Sequence, residues 1–119
     1  MNTTRVKEMV FGYNSVDYIG DYINSFVSVF GVSLLDWRKL SEYSDGYHEE
    51  EQIAIMVTFD YHDALASMCP NKVLDFITSA EYVNDDTWCS KGISMQTAKA
   101  LFGNGCKSKD GKIYVTRRN

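Results

Sequence analysis

The stretch from Ser15 to Gly31 constrains the fold more than any other part of the chain. Wound at about 100° per residue, Val16, Ile19, Ile23, Phe26, Val27 and Phe30 fall within a stripe roughly 100° wide, with Asp17, Asp21, Asn24 and Ser28 opposite. The ends agree with the middle. Ser15 is placed to accept a backbone N–H of the first turn, Asp17 puts negative charge at the positive end of the helix dipole, and Gly31 supplies a left-handed stop. One apolar stripe does not offset the entropy of ordering its own backbone, so this helix needs a sheet to lie on.

The flanking segments supply strands. Arg5–Tyr13 reads as a strand rather than a short helix, because its apolar residues are aromatic and branched and Gly12 and Asn14 end it. After Gly31, Val32–Tyr43 mixes apolar and polar residues loosely and runs into a turn signal, Ser44-Asp45-Gly46. Gln52–Tyr61 carries the unbroken run Ile53–Phe59, expected of a central strand covered on both faces. Two strands joined through the helix should run parallel. Asp63–Met68 is expected to form a helical turn interrupted by Pro70, and Asn71 to cap a helix over Lys72–Ala80 with Val73, Leu74, Phe76 and Ile77 inward.

The resulting order, β-α-β-β-α, is the larger part of a ferredoxin-like sandwich, to be completed by a strand at Glu81–Val83. A loop is expected over Asn84–Gly92, with Asp85 and Asp86 exposed and Trp88 tucked in. Beyond it come a short helix, Met95–Phe102, capped by Ser94 and stopped by Gly103, and a β-ribbon turning at Ser108–Gly111 into Ile113–Val115. The class is therefore α+β. The 119 residues point to one domain, with a body over about 1–90 and a helix-plus-ribbon extension over about 91–119.

Motifs for chemistry are sparse. Cys69, Cys89 and Cys106 are an odd number with no C-x-x-C pair, which argues against both a disulfide framework and a zinc ribbon. A thiol nucleophile would need His48 or His62 beside it, and an end-of-strand, hydrogen-bonded role suits His62 better. His62 and Cys69 with Asp60 and Asp63 lack the tight ligand spacing of structural metal sites. Gly103-Asn104-Gly105 follows a helix, whereas a phosphate cradle precedes one. No catalytic residue, metal or cofactor is assigned. No apolar run is long enough to span a bilayer, and Met1–Glu8 lacks the apolar centre of a secretory signal, so a cytoplasmic setting is expected.

Charge is the most specific hint. The net value of −4 hides a division: residues 1–90 hold five basic and fifteen acidic side chains, residues 91–119 seven basic and one acidic. Tyr18 and Tyr22, with Val29, form a second narrow stripe on the Ser15–Gly31 helix. Tyr43, Asp45, Tyr47, Glu49 and Glu50 interleave rings with acids, and Tyr61 adds another ring. Tyrosine is enriched where protein meets protein, so these residues are expected to form an acidic docking face for a partner with a basic surface. A chain this short without catalytic motifs fits an accessory protein, such as a phage-type inhibitor of a host protein, and self-association through a sheet edge is a further expectation. The alternative is a nucleic-acid-binding regulator using Lys99, Lys107, Lys109, Lys112, Tyr114, Arg117 and Arg118 on the basic helix and hairpin.

Overall fold

A computed structural model describes residues 3–12, 18–44, 51–62, 67 and 70–117, with backbone alone for 11–12, 41–44, 51–53 and 70. Within these residues the amphipathic helix, α1, runs Ile19–Phe30 and buries Ile19, Ile23, Ser25, Phe26, Val29 and Phe30. Asp21, Asn24 and Ser28 face solvent as expected. Val27 and Val29 exchange roles: Val29 joins the core and Val27 is half-buried. The helix also starts later than expected, with Tyr18 at its N-cap; Ser15, Val16 and Asp17 lie outside the described residues. Gly31 closes it in the left-handed region at φ 67°, a conformation a side chain would strain.

Strands β1 (Thr4–Gly12), β2 (Ser33–Ser44) and β3 (Glu51–Asp60) form one sheet in the order β1-β3-β2. Both outer strands pair antiparallel with β3, so β1 and β2 run parallel to each other on either side of it. β3 is central, and Ile55, Val57 and Phe59 are fully buried on the face that meets α1. The other face is covered less: Ala54 is buried, but Met56 and Thr58 are half-buried, and Val6 opposite Thr58 and Val10 opposite Ala54 are exposed. Coverage on both faces is therefore not what the apolar run encodes.

The second helix, α2, is Pro70–Thr78, and it buries Val73, Leu74, Phe76 and Ile77. Pro70 starts this helix instead of interrupting the chain before it, because the first turn has no intrahelical use for the missing N–H. Asn71 is consequently inside the helix and is not its cap.

From here the chain departs from the ferredoxin-like plan. β4 (Glu81–Asn84) does not join the first sheet; it pairs with β5 (Thr87–Ser90), within the segment expected to be a loop. Asp85 and Asp86 make a turn of only two residues, steadied by the Asp86 N–H donating to Asn84 Oδ1 at 2.9 Å. A hairpin this local closes with little loop entropy, which favours it over the distant edge of β1. The third helix, α3 (Met95–Phe102), follows Ser94, whose Oγ accepts from the Thr97 N–H at 3.1 Å. β6 (Lys107–Lys109) and β7 (Lys112–Thr116) turn through Asp110 and Gly111, both with positive φ, and complete a second antiparallel sheet, β4-β5-β7-β6. The fold described is a small α+β arrangement of three helices and two antiparallel sheets.

α1 lies between the two sheets. Phe26 meets Phe59 of the first sheet with ring centroids 5.3 Å apart and Trp88 of the second at the same separation. Phe30 extends the cluster to Phe76 and Phe102, drawing α2 and α3 into one core. One polar link crosses it: the fully buried Ser25 Oγ donates to the Asp85 carbonyl at 2.7 Å and accepts from Trp88 Nε1 at 2.9 Å. Ser25→Ala would leave the buried indole N–H without its acceptor. It is expected to lower the unfolding free energy by about 1–3 kcal/mol, read from urea denaturation followed by Trp fluorescence.

Candidate functional site

Two regions gather the side chains that the charge pattern singled out. On the first, α1 meets the β4–β5 turn. Tyr18 is 57% exposed, and one turn on, Tyr22 is half-buried because its ring packs edge-on against Tyr82 of β4 at 4.5 Å. The Tyr82 hydroxyl donates to Asp85 Oδ1 at 2.8 Å, and Tyr82 also packs on the buried Trp88 at 5.7 Å. Asp85 raises the phenol of Tyr82 to about 12, chiefly by accepting that hydrogen bond, with burial and the nearby charge of Asp21 adding to it. An acidic aromatic cluster thus exists, built from Tyr18, Asp21, Tyr22, Tyr82 and Asp85.

Its membership differs from the expected one. Asp45, Tyr47, Glu49 and Glu50 lie outside the described residues, as does the side chain of Tyr43. Tyr61 is buried, because it follows a core strand directly. Tyr82 was the residue missed; only the hairpin register that turns it toward α1 reveals it.

The second region is the outer face of the β4-β5-β7-β6 sheet. In the β6–β7 ladder Lys107 lies opposite Tyr114 and Lys109 opposite Lys112, so all four project from the same side. Lys112 reaches Glu81 of β4 at 3.5 Å, whereas Lys107 and Lys109 have no ion pair among the described residues. Lys99 stands elsewhere, on α3, which packs through Ala98 and Phe102 into the core. Arg117 is also elsewhere: it is 3.6 Å from Asp86 Oδ1, and its Nη2 donates to the Asp85 carbonyl at 2.9 Å. The acidic turn holds it at the far end of β7 from the lysines. Arg118 lies outside the described residues.

The remaining titratable groups have local partners. His62 takes a left-handed conformation (φ 61°) at the end of β3; its Nε2 is 3.0 Å from Ser33 Oγ and its Nδ1 3.6 Å from Asp60 Oδ2. That order of groups is the one acyl-transfer enzymes use. Here, however, Asp60 Oδ1 accepts the His62 backbone N–H at 3.0 Å and the ring is half-exposed, an arrangement that suits holding the end of the strand. Hydrogen bonds from Thr3 and from the His62 N–H keep the Asp60 carboxyl below the usual range. Cys89 is buried, and burial pushes its thiol up, away from thiolate chemistry. Cys106 Sγ donates to the Ala98 carbonyl at 3.5 Å. His48, Asp63 and Cys69 lie outside the described residues, and among the described ones no three His, Cys, Asp or Glu converge as metal ligands.

One lysine is buried against the habit of its residue type. Lys7 points to the core side of β1, is buried, and donates to the Thr78 carbonyl at 2.7 Å, where the dipole of α2 ends. Burial lowers it to about 8 from an ordinary 10.5, against the raising influence of Glu81. It floors a groove of about 280 Å³ between β1 and β4, the place a fourth strand of the first sheet would occupy.

Lys7 and Tyr82 push stability in opposite directions with pH. Between about 8 and 10.5 the unfolded chain holds the Lys7 proton that the folded chain has released, so stability rises with pH. Between 10 and about 12 the folded chain keeps the Tyr82 proton that the unfolded chain has lost, so stability falls. Urea midpoints measured across this range should lose the rising limb in Lys7→Met and soften the falling limb in Tyr82→Phe. Comparison of the chain with protein-family models, with curated proteins and with solved structures finds no match.

Proposed function

We propose that this chain is a non-enzymatic accessory protein that docks on another protein through the acidic, tyrosine-bearing face formed by α1 and the β4–β5 turn. A modulator or inhibitor of its partner is the role such a face serves. The observation that carries the reading is the Tyr22–Tyr82 pair, two rings from distant elements held edge-on at 4.5 Å with the Tyr82 hydroxyl anchored on Asp85. Rings already ordered before contact lose little freedom on binding, and a wet hydroxyl edge with an apolar body is what protein interfaces recruit. Asp21 and the exposed Tyr18 extend the patch, and its charge favours a basic partner. Among the described residues no helix is long and apolar enough to cross a membrane, and a cytoplasmic setting is part of this proposal.

A second reading has its own support. Lys107, Lys109, Lys112 and Tyr114 share one sheet face, a geometry that lets ammonium groups meet phosphates around a ring available for stacking. Against it stand the Lys112–Glu81 pair and the withdrawal of Arg117 into the acidic turn.

Two variants separate these readings. With Tyr18→Ala/Asp21→Lys, a basic protein retained by the immobilised wild-type chain should be lost, while the variant keeps its circular dichroism. With Lys107, Lys109 and Lys112 all changed to Glu, retention should persist. A fluorescent oligonucleotide that binds the wild-type chain, weakens with salt by roughly one log–log unit per phosphate contact, and is released by the triple change would favour the nucleic-acid reading.

A further inference from the structure

We propose that two copies of this chain form a two-fold dimer by antiparallel pairing of β2 with β2, centred on Trp37. The inference does not rest on the tyrosine face. β2 is the outer strand of its sheet, and every described side chain from Ser33 to Leu40 is exposed. Leu34, Leu35, Trp37 and Leu40 are all large and apolar, and Trp37 is 44% accessible. An edge of this kind is a template for another strand. The contrast lies within the same molecule, because the edge strand β6 is three residues long and carries Lys107 and Lys109.

Charge selects a second copy as the occupant. In the β2–β3 ladder Asp36 lies opposite Thr58 and Arg38 opposite Met56, so both project from the outer face of the sheet, two residues apart. Neither makes an ion pair within the subunit among the described residues; the Arg38 guanidinium rests on the Met56 sulfur at 3.9 Å. Opposed residues in an antiparallel pair share a face and a hydrogen-bonding direction, so a self-pairing strand can be centred only on a residue. Within the regular stretch Asp36–Lys39, centring on Asp36, Arg38 or Lys39 sets a charge against its own copy.

Centring on Trp37 alone avoids this. It sets Asp36 against the second copy's Arg38 and Arg38 against its Asp36, and stacks Trp37 beside Trp37. The contact is isologous and closes on itself. Irregularities in the ladder at Leu35 and Leu40 bracket this stretch, and the twist they add limits the pairing to a short patch instead of an open-ended sheet.

Sedimentation velocity over a concentration series tests the proposal. The wild-type chain should approach twice its 13.6 kDa mass. Asp36→Arg and Arg38→Asp should each shift it to monomer, and the double swap Asp36→Arg/Arg38→Asp should restore the dimer. Trp37→Cys provides a measurement free of charge changes: opposed Cα atoms about 4.5–5.5 Å apart lie within disulfide reach. Mild oxidation should therefore give a covalent dimer on a non-reducing gel that wild type does not give. A wild-type chain that stays monomeric, including one whose β2 captures a strand of some other protein, overturns the proposal. So does a dimer that neither single change weakens, or one that the swap fails to recover.

Discussion

Phe26 is the contact on which the rest depends. A three-stranded and a four-stranded sheet share no strand among the described residues, and what joins them is a helix whose phenylalanine touches Phe59 on one side and Trp88 on the other. Around this double contact the apolar effect is non-directional and would tolerate some sliding of one layer over the other. Ser25 removes that freedom. Its hydroxyl satisfies both the indole N–H and a turn carbonyl, so the second sheet can sit against α1 in one position only.

That single position explains where the tyrosines and carboxylates of the patch end up. With Trp88 held on α1, its cross-strand neighbour Tyr82 is carried to Tyr22, and the turn beyond brings Asp85 to the Tyr82 hydroxyl. Arg117 is drawn to the same turn. The division of charge along the chain is therefore only partly kept as a division in space. Lys112 and Arg117 are spent on Glu81 and Asp86, while Lys107 and Lys109 have no ion pair among the described residues. The acidic aromatic patch keeps its carboxylates with one guanidinium set into its border.

The two sheets treat their edges differently. Lysines guard β6, and β4 faces β1 across a groove with the Lys7 chain beneath it. β2 also carries Arg38 and Lys39, but they stand among the exposed Leu34, Leu35, Trp37 and Leu40. Its Leu34-Leu35 doublet and Leu40 break the strict alternation of a half-buried strand, and in the structure those breaks coincide with the ladder irregularities. In the sequence the same residues read as a loose mixture of apolar and polar, and the failure of period two is the mark the bulges leave there.

Local chemistry was decisive wherever it is short-ranged. The stripe on α1, the Gly31 stop, the Ser94 cap with the bounds of α3, the Asp110-Gly111 turn and the inward set of α2 are all legible in the chain, since each depends on residues within a few positions of one another. Three outcomes needed distant partners. β4 chose β5 over β1 because a two-residue turn closes more cheaply than a long connection, and that competition is not written in either strand alone. Tyr82 meets Tyr22 because Trp88 sets the second sheet on the helix, and Arg117 meets Asp86 because the β5–β7 register places Thr116 opposite Thr87. The described side chains of β2, Ser33 to Leu40, stay exposed while α1 meets β3 through Phe26 and Phe59 and α2 lies against β1, and which strand of a sheet stays bare is decided by how layers of finite size overlap, not by the composition of the strand itself.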